Sequence, residues 1–506
     1  MTTLSARSRM LLGASTVLAT LLYSIDATII NVALPNIQGS LQATQDQTAW
    51  VATAYIVVSA IMTPLCGWLG LRYGLRGVLL IAIVGFTVCS VLCGIATTLA
   101  EMVLFRALQG AFGAALLPLS QVLLLQEFPR ESHVKVMAMW ATASMLGPII
   151  GPTLGGYLTD TLSWRWAFYV NVPIGMLAWL ALTAALKKSQ TDSRRPFDLT
   201  GFILLSSSIG LFQLMLDRGQ SCDWFNSTEI VAEAFFSAVF LYMFIAHAHN
   251  RLHAFVDLHL FRDRNFAVCV LIQTAVGAFL MSPGVLLPTF LQQLQGYSAS
   301  QAGTLMAARG LGFVLAMLVA SRISPRIDAR FRMLAGALLV SGTLWEMASF
   351  SIDTPASALL VTGILLGVGM PLTFIPMQVI AYSTLPDSSR TEAGVMLRLA
   401  MSIGGSVGIS LTIAELARSA QINHSYLSEY FTPYATDRWQ AIGSNPGTNQ
   451  ATGELIGEIS RQALAIAYAH DFRLLALTAL VCVPLILMLR PSEQRPANLS
   501  AADVVG

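Results

Sequence analysis

The run MLLGASTVLATLLYSIDATIINVALP, residues 10 to 35, decides how the chain is read. At about 1.5 Å per helical residue it is long enough to cross a hydrocarbon core of about 30 Å. Its single charged side chain is Asp26. A charge at the centre of a bilayer costs roughly 2.5 to 3.5 kcal/mol on insertion scales, so an intramembrane carboxylate is a candidate functional group from the outset. Arg7 and Arg9 precede the run in the manner of a secretory signal, but the run is too long and has no small-residue cleavage site. It reads as a retained first transmembrane helix.

The rest of the chain agrees. Of 506 residues, 55% are hydrophobic and 11% charged, and the mean hydropathy is +0.66; soluble domains are about a quarter charged. The sequence is that of an all-α polytopic membrane protein. A formal net charge of +2 without a basic cluster gives no sign of nucleic-acid binding. The six cysteines follow no disulfide or metal-ligand spacing, and only Cys222 falls in a clear loop. His247, His249, His253 and His259 cluster without matching a metal-site pattern, so no metal is expected. No phosphate-binding G-x-x-x-x-G-K-[ST] motif occurs, which argues against ATP hydrolysis.

Apolar runs of spanning length recur fourteen times, near 11–34, 48–69, 77–97, 101–125, 135–157, 166–186, 198–216, 230–248, 266–291, 301–321, 331–350, 356–383, 393–416 and 471–489. With the N-terminus inside, twenty of the 29 Lys and Arg fall in inside segments, and the short outside loops hold only Arg165 and Arg218. The positive-inside rule therefore puts both termini in the cytoplasm. Four more basic residues lie in the long segment that follows the thirteenth span, whose length removes it from the count. Arg106, Arg309 and Arg398 fall within spans.

The chain also repeats. An offset of 257 aligns Gly110 with Gly367, Gln121 with Gln378, Pro129 with Pro386, Gly147 with Gly404 and Gly151 with Gly408. At 254, Arg72 and Arg76 lie over Arg326 and Arg330. Spans 1–6 thereby map onto spans 9–14, giving two pseudo-symmetric six-helix halves in the same orientation, two inserted helices, and a cavity at the junction. The expected organisation is an N-terminal half at 1–190, inserted helices at 191–260, a C-terminal half at 261–490 containing a long outside loop at 417–470, and a cytoplasmic tail at 491–506.

Four stretches carry a family resemblance: IDATIINVALP (25–35), GWLGLRYGLRG (67–77), LFRALQGAFGA (104–114) and GPIIGPTLGG (147–156). They resemble the successive signatures of the major facilitator superfamily. WRWAFYVNVPIG (164–175), LMLDRGQSCDWF (214–225) and the span count are similar to its fourteen-helix drug:proton antiporter branch, the EmrB/QacA type. The resemblance implies no enzyme and no cofactor, but proton-driven efflux of small hydrophobic or amphipathic compounds from a bacterial inner membrane. It further implies a periplasmic adaptor (membrane fusion protein) and an outer-membrane channel as partners, with 417–470 as a docking surface. A dedicated exporter of one fatty acid, siderophore or toxin is the competing reading. A membrane-embedded transferase has only His253 and Asp257 in its favour.

Each motif also has a physical reading. Gly147, Gly151 and Gly155 recur every four residues on one helix face, with Gly156 beside them, so a neighbouring helix can approach closely; Pro148 and Pro152 remove backbone donors and bend the span. In the resembled family this segment marks exporters. Gly67, Arg72, Gly74 and Arg76 form a short basic latch, although Leu71 stands where the family commonly has Asp. Counting inward from the outer ends places Asp26 about 13 Å and Arg106 about 9 Å deep, close enough to share or compete for a proton. Asn31 is a polar neighbour of Asp26 on the same helix. Further candidates for the cavity or for secondary charges are Gln121, Gln378, Arg398, Glu415, and Arg309 with Glu346 as a candidate pair.

Overall fold

The computed structural model describes residues 5–43, 45–129, 132–185, 197–249, 256, 258–322, 328–386, 389–429 and 449–490. Among these there is no strand. The helices are α1 (Ala6–Ser40), α2 (Gln45–Tyr73), α3 (Leu75–Ile95), α4 (Leu99–Glu127), α5 (His133–Thr161), the single turn α6 (Trp166–Tyr169) and α7 (Asn171–Ala185). They continue with α8 (Leu199–Arg218), α9 (Thr228–His249), α10 (Arg264–Thr289), α11 (Ala299–Arg322), α12 (Ala329–Met347), α13 (Ala356–Ser383), α14 (Arg390–Glu429) and α15 (Asn449–Leu487). The tail at 491–506, the boundary near 190, and the loop residues His253 and Asp257 lie outside the described residues.

Local chemistry sets several of the helix starts. Thr98 and Glu101 open α4 with a reciprocal capping box, and Asp198, Asp263 and Asp328 cap α8, α10 and α12 by accepting from backbone N–H groups. Between α2 and α3 the chain reverses on Gly74 alone, at φ +86°, a left-handed backbone that a side chain would strain.

Eleven of the described helices are long and apolar enough to cross a bilayer. The other three of the fourteen expected spans coincide in sequence with α5, α11 and α12, which are helical but are not among the eleven. Packing repeats between the halves. Helix α1 packs on α5 and α7, and α10 packs in the same way on α14 and α15; α4 packs on α2 and α3, as α13 does on α11 and α12. Contacts across the junction follow the same rule, α2 with α14 matching α11 with α5. The inserted pair α8 and α9 pack together, with α8 resting on α2 and α14.

The described residues of segment 417–470, expected as a long outside loop, are helical. Helix α14 runs 40 residues to Glu429 and α15 begins at Asn449, leaving only 430–448 between them, outside the described residues. At about 1.5 Å per residue α14 is about 60 Å long, twice a hydrocarbon thickness of about 30 Å and longer than a single crossing needs. A polar composition suggests a loop, yet few of these residues oppose a helix that is already nucleated by a buried span.

Candidate functional site

Asp26 sits mid-way along α1 and is fully buried. Its Oδ2 accepts from Arg106 Nη1 at 2.8 Å, and its Oδ1 accepts from Gln109 Nε2 at 2.9 Å and from Asn171 Nδ2 at 2.8 Å. Arg106 is 1% exposed. It also donates to Gln109 Oε1 at 2.8 Å and to the Val51 carbonyl at 3.2 Å, and its guanidinium lies 4.2 Å from the centroid of the Tyr55 ring. Asn171 donates to Ser90 Oγ at 2.9 Å, which in turn donates to the Phe168 carbonyl. Five helices, α1, α2, α3, α4 and α7, thus meet around one ion pair. A buried charge is tolerable when it is both paired and hydrogen-bonded, and the carboxylate here has a donor at every side.

The similar depth expected for Asp26 and Arg106 is realised as direct contact. Gln109 and Asn171 were not singled out by sequence, although both left a signal. Gln109 lies one turn beyond Arg106 on the same face, and Asn171 is a lone amide in WRWAFYVNVPIG. Asn31 belongs to α1, but its side chain lies outside the described residues.

The glycine face of α5 seals α1 beside this network. A Cβ at Gly147 would stand 2.5 Å from the Ser24 carbonyl carbon, one at Gly151 would collide with Thr28 Oγ1, and one at Gly155 would lie 2.7 Å from Ile29 Cγ1. Thr28 Oγ1 donates across the seam to the Gly147 carbonyl at 3.1 Å. Gly404 and Gly408 of α14 meet Thr274 and Ala278 of α10 in the same manner. The side chains of Pro148 and Pro152 lie outside the described residues, and Gly156 is half-buried on α5.

A cavity lies where the halves meet, lined by α4, α5, α10, α11, α13 and α14. Its walls are mostly apolar, including Trp140 stacked near Phe374 across the junction at 6.4 Å between centroids. Gln121 donates to Gln378 at 3.0 Å, and Gln378 lies 3.5 Å from Gln273. Among the described lining residues the charged one is Arg398, which donates to the Tyr23 hydroxyl at 3.0 Å. Arg398, a cavity candidate from the sequence, stands in the cavity wall. Neither Asp26 nor Arg106 lines this cavity.

The other candidates separate. Arg309 donates to the Leu280 carbonyl at 2.9 Å and contacts Met370 Sδ, whereas Glu346 is exposed, so the expected pair is not made. Arg72 stacks near Trp68 and Tyr73, and Arg76 reaches the Thr183 carbonyl at 3.4 Å. Gly67 meets the opposite half: a Cβ there would lie 2.8 Å from Val395 Cγ2. Glu415 is half-buried on α14. No group of three or more His, Cys, Asp or Glu able to hold a metal occurs among the described residues.

The family profile described as Major Facilitator Superfamily matches residues 16–409. The chain is 32% identical over 480 residues to a probable multidrug resistance protein EmrY of Escherichia coli (strain K12), covering 94% of each. It is 32% identical over 481 residues to the multidrug export protein EmrB of Escherichia coli (strain K12), again covering 94% of each. Among solved structures it is similar in fold to the human organic anion transporter MFSD10 (TETRAN), with a TM-score of 0.59, 13% identity, and 95% and 99% of the two chains covered.

Proposed function

We propose that this chain, which belongs to the major facilitator superfamily, exports hydrophobic or amphipathic drugs across a bacterial inner membrane in exchange for protons. The relatives named as multidrug export and resistance proteins support the cargo class. The observation that carries the coupling is the Asp26–Arg106 pair, buried on two helices of one half and locked against the α1–α5 seam.

In the conformation described, Asp26 accepts hydrogen bonds from three donors and faces the Arg106 guanidinium. Separating a buried pair costs about 3–5 kcal/mol, because one charge is left uncompensated. A proton delivered to Asp26 removes that charge, so protonation and the sliding of α1 against α5 become linked steps. One proton falling through about 100 mV contributes about 2.3 kcal/mol, the scale needed to bias such a step. Arg398 supplies the cavity with a cation for the polar end of an amphipathic cargo, and the aromatic walls accept its apolar part. Both termini are assigned to the cytoplasm, and the outer ends of α14 and α15 are the surface proposed for a periplasmic adaptor leading to an outer-membrane channel.

The test is cargo uptake by inverted vesicles under an imposed pH gradient. Asp26→Asn keeps the shape and hydrogen bonding but cannot titrate, so gradient-driven transport is expected to disappear while cargo binding survives. Full gradient-driven transport by that variant would sink the reading.

A further inference from the structure

We propose that Asp471 is a second proton-binding site, in the C-terminal half, which holds its proton in the conformation described and is filled from the outer side. Its part in transport rests on the antiport reading; its protonation does not.

Asp471 lies on α15, at 0% exposure, and neither of its carboxylate oxygens has a hydrogen-bond partner among the described residues. This is the reverse of Asp26, which is as deeply buried but has three donors. An ion removed from water without a partner carries a penalty of several kcal/mol, whereas a neutral acid carries only that of a buried polar group. Such a site is occupied by the acid, not by its anion.

Among the described residues the surroundings supply no cation. On α14 the charged group that acts on Asp471 is Glu415, of like charge, and Arg418 is exposed. On α15 itself Tyr468 shares the buried face, while His470 is exposed and engaged with Ser419, and Arg473 is exposed. Helix α10 carries Arg264 and Cys269 only in its first turns, at the opposite end, and α12 carries Arg330 and Arg332 at that same end and an exposed Glu346 at the other. The π-helical stretch Phe290–Leu294 has no titratable residue.

Position gives the route. The Ser419–His470 contact at 3.0 Å fixes the antiparallel register of α14 and α15, and puts Asp471 at the level between Ser419 and Glu415. Counting back from Leu487 at about 1.5 Å per residue, Asp471 lies about 24 Å from the inner end of α15, in the outer part of the membrane. Glu415 is half-buried and lies about one helical turn further inward on α14. A proton from outer water adds to the Asp471 carboxylate, which becomes neutral. Release requires α15 to move, since the freed anion has no donor where it stands.

Infrared difference spectroscopy of the full-length protein in lipid vesicles at neutral pH tests this. A protonated-carboxyl C=O band is expected, present in wild type and in Asp26→Asn, absent in Asp471→Asn, and retained but displaced in Asp471→Glu. Because Asn imitates the neutral acid, Asp471→Asn is expected to unfold thermally at the wild-type temperature. A band unaffected by Asp471→Asn and by Asp471→Glu would overturn the proposal. Wild-type vesicles that show the band but no gradient-driven uptake would remove the antiport reading and leave the protonated Asp471 standing. Uptake without the band would do the opposite.

Discussion

Arg106 does more at the residue scale than neutralise Asp26. One guanidinium bridges the carboxylate, the Gln109 amide and the Val51 carbonyl, and covers the Tyr55 ring. A lysine ammonium is a point charge that cannot span these partners. Arg106→Lys is therefore expected to lower gradient-driven efflux at least tenfold, equivalent to about 1.4 kcal/mol in the rate-limiting step, although net charge is unchanged; rates in inverted vesicles at equal expression check it. Charges were legible in the sequence because each stood alone in an apolar run. The amides Gln109 and Asn171 were not, since a neutral amide in a span has many ordinary uses. Asp471 was missed for another reason: apolar windows begin the last span at that residue, whereas the helix starts at Asn449 and carries the acid inside its buried face.

Glycines divide sharply at the scale of elements. At Gly147 and Gly151 a side chain meets α1 beside the ion pair, and at Gly404 it meets the backbone of α10 at Thr274. Gly151→Leu is expected to reach the membrane in normal amount and lose transport, because α1 must separate from α5 and drag Asp26 from Arg106. At Gly77, in the basic latch motif, a Cβ would have no described neighbour within 4 Å. Gly77→Ala should retain wild-type efflux and gain up to about 1 kcal/mol of helix propensity, seen as equal or higher thermal stability. The glycine periodicity announced a close helix contact but not its partner, since small residues on one helix do not reveal which surface they meet. Wild-type efflux from Gly151→Leu would reduce the seam to plain packing.

For the whole molecule, alternating access requires the halves to part where they now touch. A Cβ built at Gly67 lies 3.5 Å from Val395 Cβ, at the edge of the roughly 3.5–4.5 Å window for a disulfide. In a background lacking Cys66, Gly67→Cys with Val395→Cys should oxidise readily and abolish efflux, and reductant should restore it. Efflux undiminished in the oxidised pair would mean that these helix ends never separate. Duplicated packing was legible as a constant offset in the sequence, whereas the closing of this junction depends on side chains from opposite halves that no local pattern relates.

The hydrogen bond between Gln121 and Gln378 joins two positions 257 residues apart, the same spacing that superimposes the halves. A side chain that faces its own counterpart across such an axis must be complementary to itself. An ammonium or a carboxylate would repel its twin, and a hydrocarbon would offer no direction, but a carboxamide holds a donor and an acceptor in one plane and can grip a copy of itself. Chemistry of that kind lets one residue type serve both halves of a duplicated molecule. It also means that charge can enter this point only as opposites, so that Gln121→Lys alone leaves a lone cation at the axis and Gln378→Glu beside it restores a match.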